Sequence, residues 1–406
     1  MEITKKIIVL FLLLAIVTSC KKTNPEDYLK EVLANLEAIE SITYYDTREA
    51  WQPGDTAALF IFSRLVEEFD NPKDTTIGVS FVSFEYEDTL RLDFGYNGEV
   101  KLTPYHEHKG IMIDDFTYND LPFRPISTPF FNKAKNIISY MLTTEDSITV
   151  ESEELADQYY YKLTVHEDRQ VEFMGKARYI PEPPFERDPT SIYEIWINKS
   201  SSLPEKVRRE MAHDISVVIC REIVAMNDKS IDDLDLYAYI PADYEIRQYK
   251  PRNNDMRSSS NLIGVKAPDW TLNDMNEQPV SLSDSKSKVL LLNFTGIGCG
   301  PCQVAIPFLA ELKNSYSRSD LDIIAIECWG RTPHSMRIYA DRHEMNYNML
   351  AADDDLLSAY ETGRGVPVFF ILDENRIVSQ VFTGYNQETT GDMIRNEVSE
   401  LLKKQR

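Results

Sequence analysis

Short runs in which apolar and polar residues alternate dominate the first part of the chain. Val79-Ser80-Phe81-Val82-Ser83-Phe84 and Leu90-Arg91-Leu92-Asp93-Phe94 have the two-residue period of strands. Asn97-Gly98 follows them as a hairpin turn signal, because both residues tolerate positive φ. Further strands are expected at Tyr159 to Val165, Ile192 to Asn198 and Ile215 to Val224. Two segments have helical spacing instead. Glu26 to Glu40 places Leu29, Val32, Leu33, Leu36 and Ile39 on one face, and Phe130 to Leu142 repeats the pattern. The reading is an α+β unit over 23–249, an antiparallel curved sheet with helices on one side.

The sequence Lys250-Pro251-Arg252-Asn253-Asn254-Asp255, with Ser258-Ser259-Ser260, has no periodicity and is read as a linker over 250–261. From 262 to 406 the pattern changes to strands alternating with helices. Val289 to Phe294 is continuously apolar apart from Asn293, as expected of a buried central strand. A helix is expected from Gly300, a strand at Leu321 to Glu327, a helix from Pro333 and a short helix around Asp355 to Tyr360. A hairpin of Val368 to Leu372 and Ile377 to Phe382 follows, and a last helix from about Gln387 to Leu402. In the first unit the order helix, strands, helix, strands, with Ile195-Trp196-Ile197-Asn198 followed by Leu203-Pro204-Glu205-Lys206, resembles the half-barrel of LolA-like lipoprotein carriers.

At the N-terminus, Lys5 and Lys6 precede the apolar run Ile7 to Val17, which is too short to span a bilayer comfortably. Val17-Thr18-Ser19-Cys20 resembles the bacterial lipobox, which implies a signal peptide over 1–19, lipid on Cys20 and a mature chain starting at 20–22. An ordinary signal peptide or an uncleaved anchor are the alternatives, and all three take the protein out of the cytoplasm. Lys21 and Lys22 stand where an aspartate retains some lipoproteins at the inner membrane, which favours an outer-membrane lipoprotein facing the periplasm, within the cell envelope. The formal net charge of −23 argues against nucleic acid as a partner. Five cysteines among 406 residues are too few for a disulfide-stapled scaffold.

Two of the cysteines have motif spacing. Gly298-Cys299-Gly300-Pro301-Cys302 directly follows the central strand and opens a helix. A sulfur there meets unpaired N–H groups and the positive end of the helix dipole, which favours the thiolate. Cys302, one turn on, is within disulfide reach, and Pro301 fits a first turn where a missing N–H costs little. A structural zinc site is the alternative, yet His334 and His343 lack ligand spacing and there is no second CxxC; metal and cofactor are both read as none.

Residues 262–404 resemble the thioredoxin superfamily, in its TlpA-like and peroxiredoxin-related branch. Ala267-Pro268-Asp269-Trp270-Thr271-Leu272 and Val280-Ser281-Leu282 match that branch's leading hairpin, and Val289 to Phe294 with the CxxC match its core strand and active site. The resemblance implies an α/β thioredoxin-like fold and a thiol-disulfide oxidoreductase. It implies catalysis by Cys299 and Cys302, a cis-proline at Pro367 and a substrate face formed by Gly298, Gly300, Pro301, Val366 and Pro367. Protein disulfides are the implied substrates, with an upstream membrane electron donor. The sequence departs from the family in three places. Asn293 replaces a buried aspartate, Ala305 replaces a glutamate found in some members, and Gly298 replaces a tryptophan. Glu327 and Glu361 are candidate proton acceptors but are read as solvated surface acids, Cys328 as a buried residue that could be a third redox thiol, and Cys220 as core. His106 and His108 flank Glu107 in a loop that is read as solvated, with metal binding as the alternative. A thiol peroxidase and a non-catalytic binding lipoprotein are the other readings of the whole chain.

Overall fold

The computed structural model describes residues 24–404 except 54, 120, 181–188, 213, 251–259, 364 and 387–388. The leader with Cys20 and most of the expected linker lie outside the described residues.

Helix α1 (Pro25–Glu37) starts where Asn24 accepts the Glu26 N–H (3.1 Å) and Pro25 fills a first-turn position. It ends before the expected Glu40 because the sheet captures that residue's backbone. The Glu40 N–H donates to Asn227 Oδ1 (2.8 Å), and its carbonyl accepts from Asp70 N (2.9 Å). The chain then runs through β1 (Ser41–Trp51), β2 (Phe60–Asp70), β3 (Val79–Glu85), β4 (Leu92–Tyr96), β5 (Lys101–Tyr105) and β6 (Gly110–Asp114). Helix α2 (Phe130–Thr143) precedes β7 (Ile148–Glu154), β8 (Gln158–Val165) and the small pair β9 (Val171–Phe173) and β10 (Ala177–Tyr179). After these come β11 (Ser191–Asn198), β12 (Pro204–Met211), β13 (Ile215–Met226) and β14 (Glu245–Gln248).

Twelve of these strands form one open sheet in the order β14-β6-β5-β4-β3-β2-β1-β13-β12-β11-β8-β7. Every pair is antiparallel except β14 with β6. The Asn97-Gly98 turn joins β4 to β5, with Gly98 at φ +93°. Both helices bury into one face: Leu29, Val32 and Leu36 of α1 and Ala134, Ile137 and Ile138 of α2 share a core with Tyr44, Leu163, Tyr193 and Ile195 of the strands. Thus the α+β reading of this part holds, with strands predominating.

No side chain of its own caps α2, and a strand supplies one instead. Glu68 of β2 accepts from Asn132 N (2.6 Å) and Phe131 N (3.3 Å), while Tyr44 Oη accepts from Phe130 N (2.8 Å) and donates to Glu68 (3.0 Å). One carboxylate thereby ties the helix to the sheet.

The second part contains β15 (Thr271–Asn273) paired with β16 (Pro279–Ser281), then β17 (Val289–Thr295), α3 (Gly300–Asn314), β18 (Leu321–Glu327) and α4 (Pro333–Arg342). It continues with β19 (Asn348–Ala351), α5 (Asp354–Ala359), β20 (Val368–Leu372), β21 (Val378–Thr383) and α6 (Thr390–Lys404). Strands order as β19-β18-β17-β20-β21, parallel across the first two junctions and antiparallel across the last two. Alternate residues of β17 face opposite cores. Val289 and Leu291 pack with α3, α4 and α6; Leu290, Leu292 and Phe294 pack with α5 and the β15–β16 hairpin side. Among the described residues no helix is long and apolar enough to cross a membrane.

Burial pushes the Glu68 carboxyl up to about 7, against the opposing pull of Tyr44 and the α2 N–H groups. The folded state therefore keeps a proton that the unfolded chain loses near its ordinary value of 4.5. This group's contribution is complete below the lower value and is lost as pH rises through the upper one. Urea unfolding should show a loss on the order of 3 kcal/mol between about pH 5 and about pH 8 attributable to this site, and Glu68→Gln should flatten that slope.

Candidate functional site

Central strand β17 lies between β18 and β20 and is buried throughout. It must hand the chain to α3 in four residues. Gly296 has no room for a side chain, since a Cβ there would lie 2.6 Å from the Trp329 indole. Gly298 sits at φ +93°, a left-handed conformation that glycine adopts without a Cβ penalty. The turn delivers Cys299 to the N-cap of α3, where its sulfur lies 3.2 Å from the Cys302 backbone N. Pro301 occupies the first turn.

A disulfide joins Cys299 and Cys302, whose Cα atoms are 5.2 Å apart. Cys302 is wholly buried and Cys299 is 7% exposed, whereas Gly298, Gly300 and Pro301 are open to solvent. The Val366–Pro367 peptide bond is cis, and the Val366 carbonyl oxygen lies 4.0 Å from Cys299 Sγ. Hence the structure brings Cys299, Cys302, Gly298, Gly300, Pro301, Val366 and Pro367 to one place. Asn293 is buried on the α3 face of β17, and its Oδ1 has no hydrogen-bond partner among the described residues.

Other sequence candidates fall elsewhere or take different roles. Glu327 is not a solvated surface acid, because it is 1% exposed. It accepts N–H bonds from Ile297 (3.3 Å), Trp329 (3.0 Å) and Arg331 (2.9 Å), so a buried carboxylate spans the turn before Cys299 and the turn after β18. Burial raises its carboxyl above the usual range, and the Arg331, Ile297 and Trp329 N–H groups oppose the rise. Glu361 is exposed, within 3.4 Å of Asn261 Nδ2. Cys328 is a buried thiol outside the disulfide whose sulfur donates to the Ile326 carbonyl (3.2 Å), on the core face opposite α3. Cys220 packs beside the first core, and burial pushes its thiol up to about 12. His106 is held by Tyr244 Oη (2.6 Å) and the Leu92 carbonyl (2.7 Å). Among the described residues no group of three or more His, Cys, Asp or Glu side chains is placed to hold a metal.

One element near the pair had no sequence signal. The segment between β1 and β2 reaches the redox face, where Gln52 Nε2 lies 3.6 Å from the position of a Gly298 Cβ. Gln52 Oε1 accepts from Arg342 Nη1 (3.1 Å), and the Leu59 carbonyl accepts from Arg331 Nη1 (3.0 Å). These two hydrogen bonds join residues 290 and 272 positions apart, beyond any local pattern.

Residues 263–381 match the AhpC/TSA family. The thiol-disulfide oxidoreductase ResA of Geobacillus kaustophilus is 32% identical over 123 residues, spanning 30% of this chain and 70% of that protein. Thioredoxin-like protein YneN of Bacillus subtilis is 27% identical over 123 residues, spanning 30% and 71%. Among solved structures, a thioredoxin family thiol:disulfide interchange protein of Chlorobium tepidum covers 34% of this chain and 95% of its own, at 22% identity and a TM-score of 0.29. The chain belongs to the AhpC/TSA redoxins of the thioredoxin superfamily. Within that class it is a thiol-disulfide oxidoreductase.

Replacing Glu327 by alanine leaves three backbone donors beside the redox turn without their acceptor. Denaturant unfolding should show a loss of about 2–4 kcal/mol, with thiol exchange slowed in the same variant. An unchanged unfolding midpoint would mean that the carboxylate does not hold the two turns.

Proposed function

We propose that this protein is an exported, lipid-anchored enzyme that reduces protein disulfides with a Cys299/Cys302 dithiol. The observation that carries the reading is the placement of the Cys299 sulfur on the open N-terminus of α3, 3.2 Å from the Cys302 N, with Cys302 one turn behind it and buried. In the reduced enzyme that end of the helix favours the Cys299 thiolate. The thiolate attacks one sulfur of a substrate disulfide, forming a mixed disulfide and releasing the other substrate sulfur as thiolate. Cys302, deprotonated, then attacks the Cys299 sulfur, which closes the Cys299–Cys302 disulfide and frees the second substrate thiol. Two electrons have passed to the substrate, and a dithiol donor at the membrane must return them.

Gly298, Gly300 and Pro301 give a substrate chain close access to the pair, and Val366 offers backbone groups to an extended segment beside Pro367. Asn293 and Cys328 are read as accessory residues to the pair. The leader sequence and Cys20 support export and anchoring in the cell envelope, with the protein facing the periplasm. The first domain, 23–249, is read as a half-barrel-like substrate selector, which the reach of Gln52 to Gly298 favours over a simple spacer.

Two variants of the full chain separate the roles. Cys302→Ser should accumulate mixed disulfides with substrate proteins that dithiothreitol releases, whereas Cys299→Ser should accumulate none and lose reductase activity by at least about a thousandfold. Equal trapping by both variants would contradict the assignment of Cys299 as the attacking thiol.

A further inference from the structure

A cavity of about 240 Å³ lies in the first domain between the start of α2 and strands β1, β2, β12 and β13, far from the disulfide in sequence. At roughly 30 Å³ per water it has room for about eight waters or one small organic molecule. Its walls are mainly apolar: Phe60, Phe62, Phe130, Val207, Val217 and Val218. The Phe60 and Phe62 rings stack with centroids 5.9 Å apart and are each nearly half exposed. Exposed stacked phenyls beside a cavity offer apolar surface without burying it.

Four charged residues also line the space, and their bonding divides them. The acids are engaged. Arg209 Nη1 pairs with Asp214 (2.7 Å), and Glu49 accepts from Trp51 Nε1 (3.1 Å). The cations are not fully used. Arg48 donates Nε to Asp46 (3.1 Å) and Nη1 to Ser127 (3.2 Å), but its buried Nη2 has no partner among the described residues. Lys133 Nζ makes no hydrogen bond or ion pair among the described residues. Burial pushes the Lys133 amine down to about 8, and the charges facing it are Glu172, Arg209, Arg48 and Asp214.

A guanidinium N–H buried without an acceptor, beside an ammonium in a mostly apolar space, is costly unless an anion joins them. Nothing in the redox reaction uses either group. We propose that this cavity binds a small carboxylate with an apolar body, the carboxylate against Lys133 and the Arg48 guanidinium and the body against the phenylalanines and valines. Charge complementarity selects the carboxylate, and the volume excludes a two-chain lipid. Free acyl chains and the C-terminal residue of a peptide share this chemistry.

The test is calorimetric titration of the full chain with octanoate, with octanol and with N-acetyl-leucyl-phenylalanine. Saturable 1:1 binding of at least one carboxylate is expected, with octanol weaker than octanoate by about tenfold or more. Stronger binding of the dipeptide assigns the site to peptide termini, and stronger binding of octanoate assigns it to acyl chains. Affinity should fall by about tenfold as pH is raised well above 8, where Lys133 loses its charge. Lys133→Met removes the charge while keeping an unbranched side chain, so folding is expected to survive. It should weaken octanoate binding by about tenfold and leave thiol-disulfide exchange unchanged. Absence of saturable binding, equal affinity for octanoate and octanol, or full affinity in Lys133→Met would each overturn the proposal.

Discussion

The redox centre depends on what the chain does immediately after its most buried strand. β17 is hydrogen-bonded on both sides and covered on both faces, so its direction is fixed by the core. Four residues must then turn the chain and start α3 with a sulfur at the cap. Gly296 passes the Trp329 ring, Gly298 supplies the left-handed step, and Glu327 fixes the Ile297 N–H. A side chain at either glycine, or loss of the carboxylate, shifts Cys299 relative to the helix N–H groups that favour its thiolate. Rigidity of the strand is therefore converted into chemistry by a short turn.

Glu327 and Glu68 solve the same problem in two places. Each is a carboxylate buried at the end of a strand or beside a helix start, and Glu68 accepts two backbone N–H groups and Glu327 three. Burial raises both carboxyls while the N–H groups pull the other way, a balance expected wherever a desolvated acid serves as a cap. The N-terminal and C-terminal parts of the chain also meet through one backbone acceptor and one side-chain amide. Arg331 extends from the turn that Glu327 holds and reaches the Leu59 carbonyl, so that turn and the segment between β1 and β2 share a scaffold.

Local signals are legible in the sequence because they depend on neighbouring residues alone. Strand Leu321 to Glu327, the helix opening at Gly300 and the hairpin after Pro367 depend on neighbouring residues and appear where periodicity puts them. Strands β1 and β2 were not expected, and their polar residues explain why. Asp46, within Ser41–Trp51, is buried beneath Arg48 and Arg64, and Glu68, within Phe60–Asp70, is buried beneath α2. Pairing across strands makes those charges tolerable inside, and pairing is invisible to a pattern of single residues. The burial of Glu327 is hidden from the sequence for the same reason, since its partners are backbone groups of two turns. Strand β19, only four residues long, offers too short a run for a period to register.

The most direct test of the central claim is a redox titration of the full chain in dithiothreitol and glutathione buffers, with differential alkylation of each cysteine read by mass spectrometry. The account predicts one reversible two-electron couple confined to Cys299 and Cys302, near the reducing value of about −270 mV typical of thioredoxin, with Cys220 and Cys328 remaining thiols throughout. A chain with no reversible couple, or one in which Cys220 or Cys328 exchanges with the pair, would contradict it.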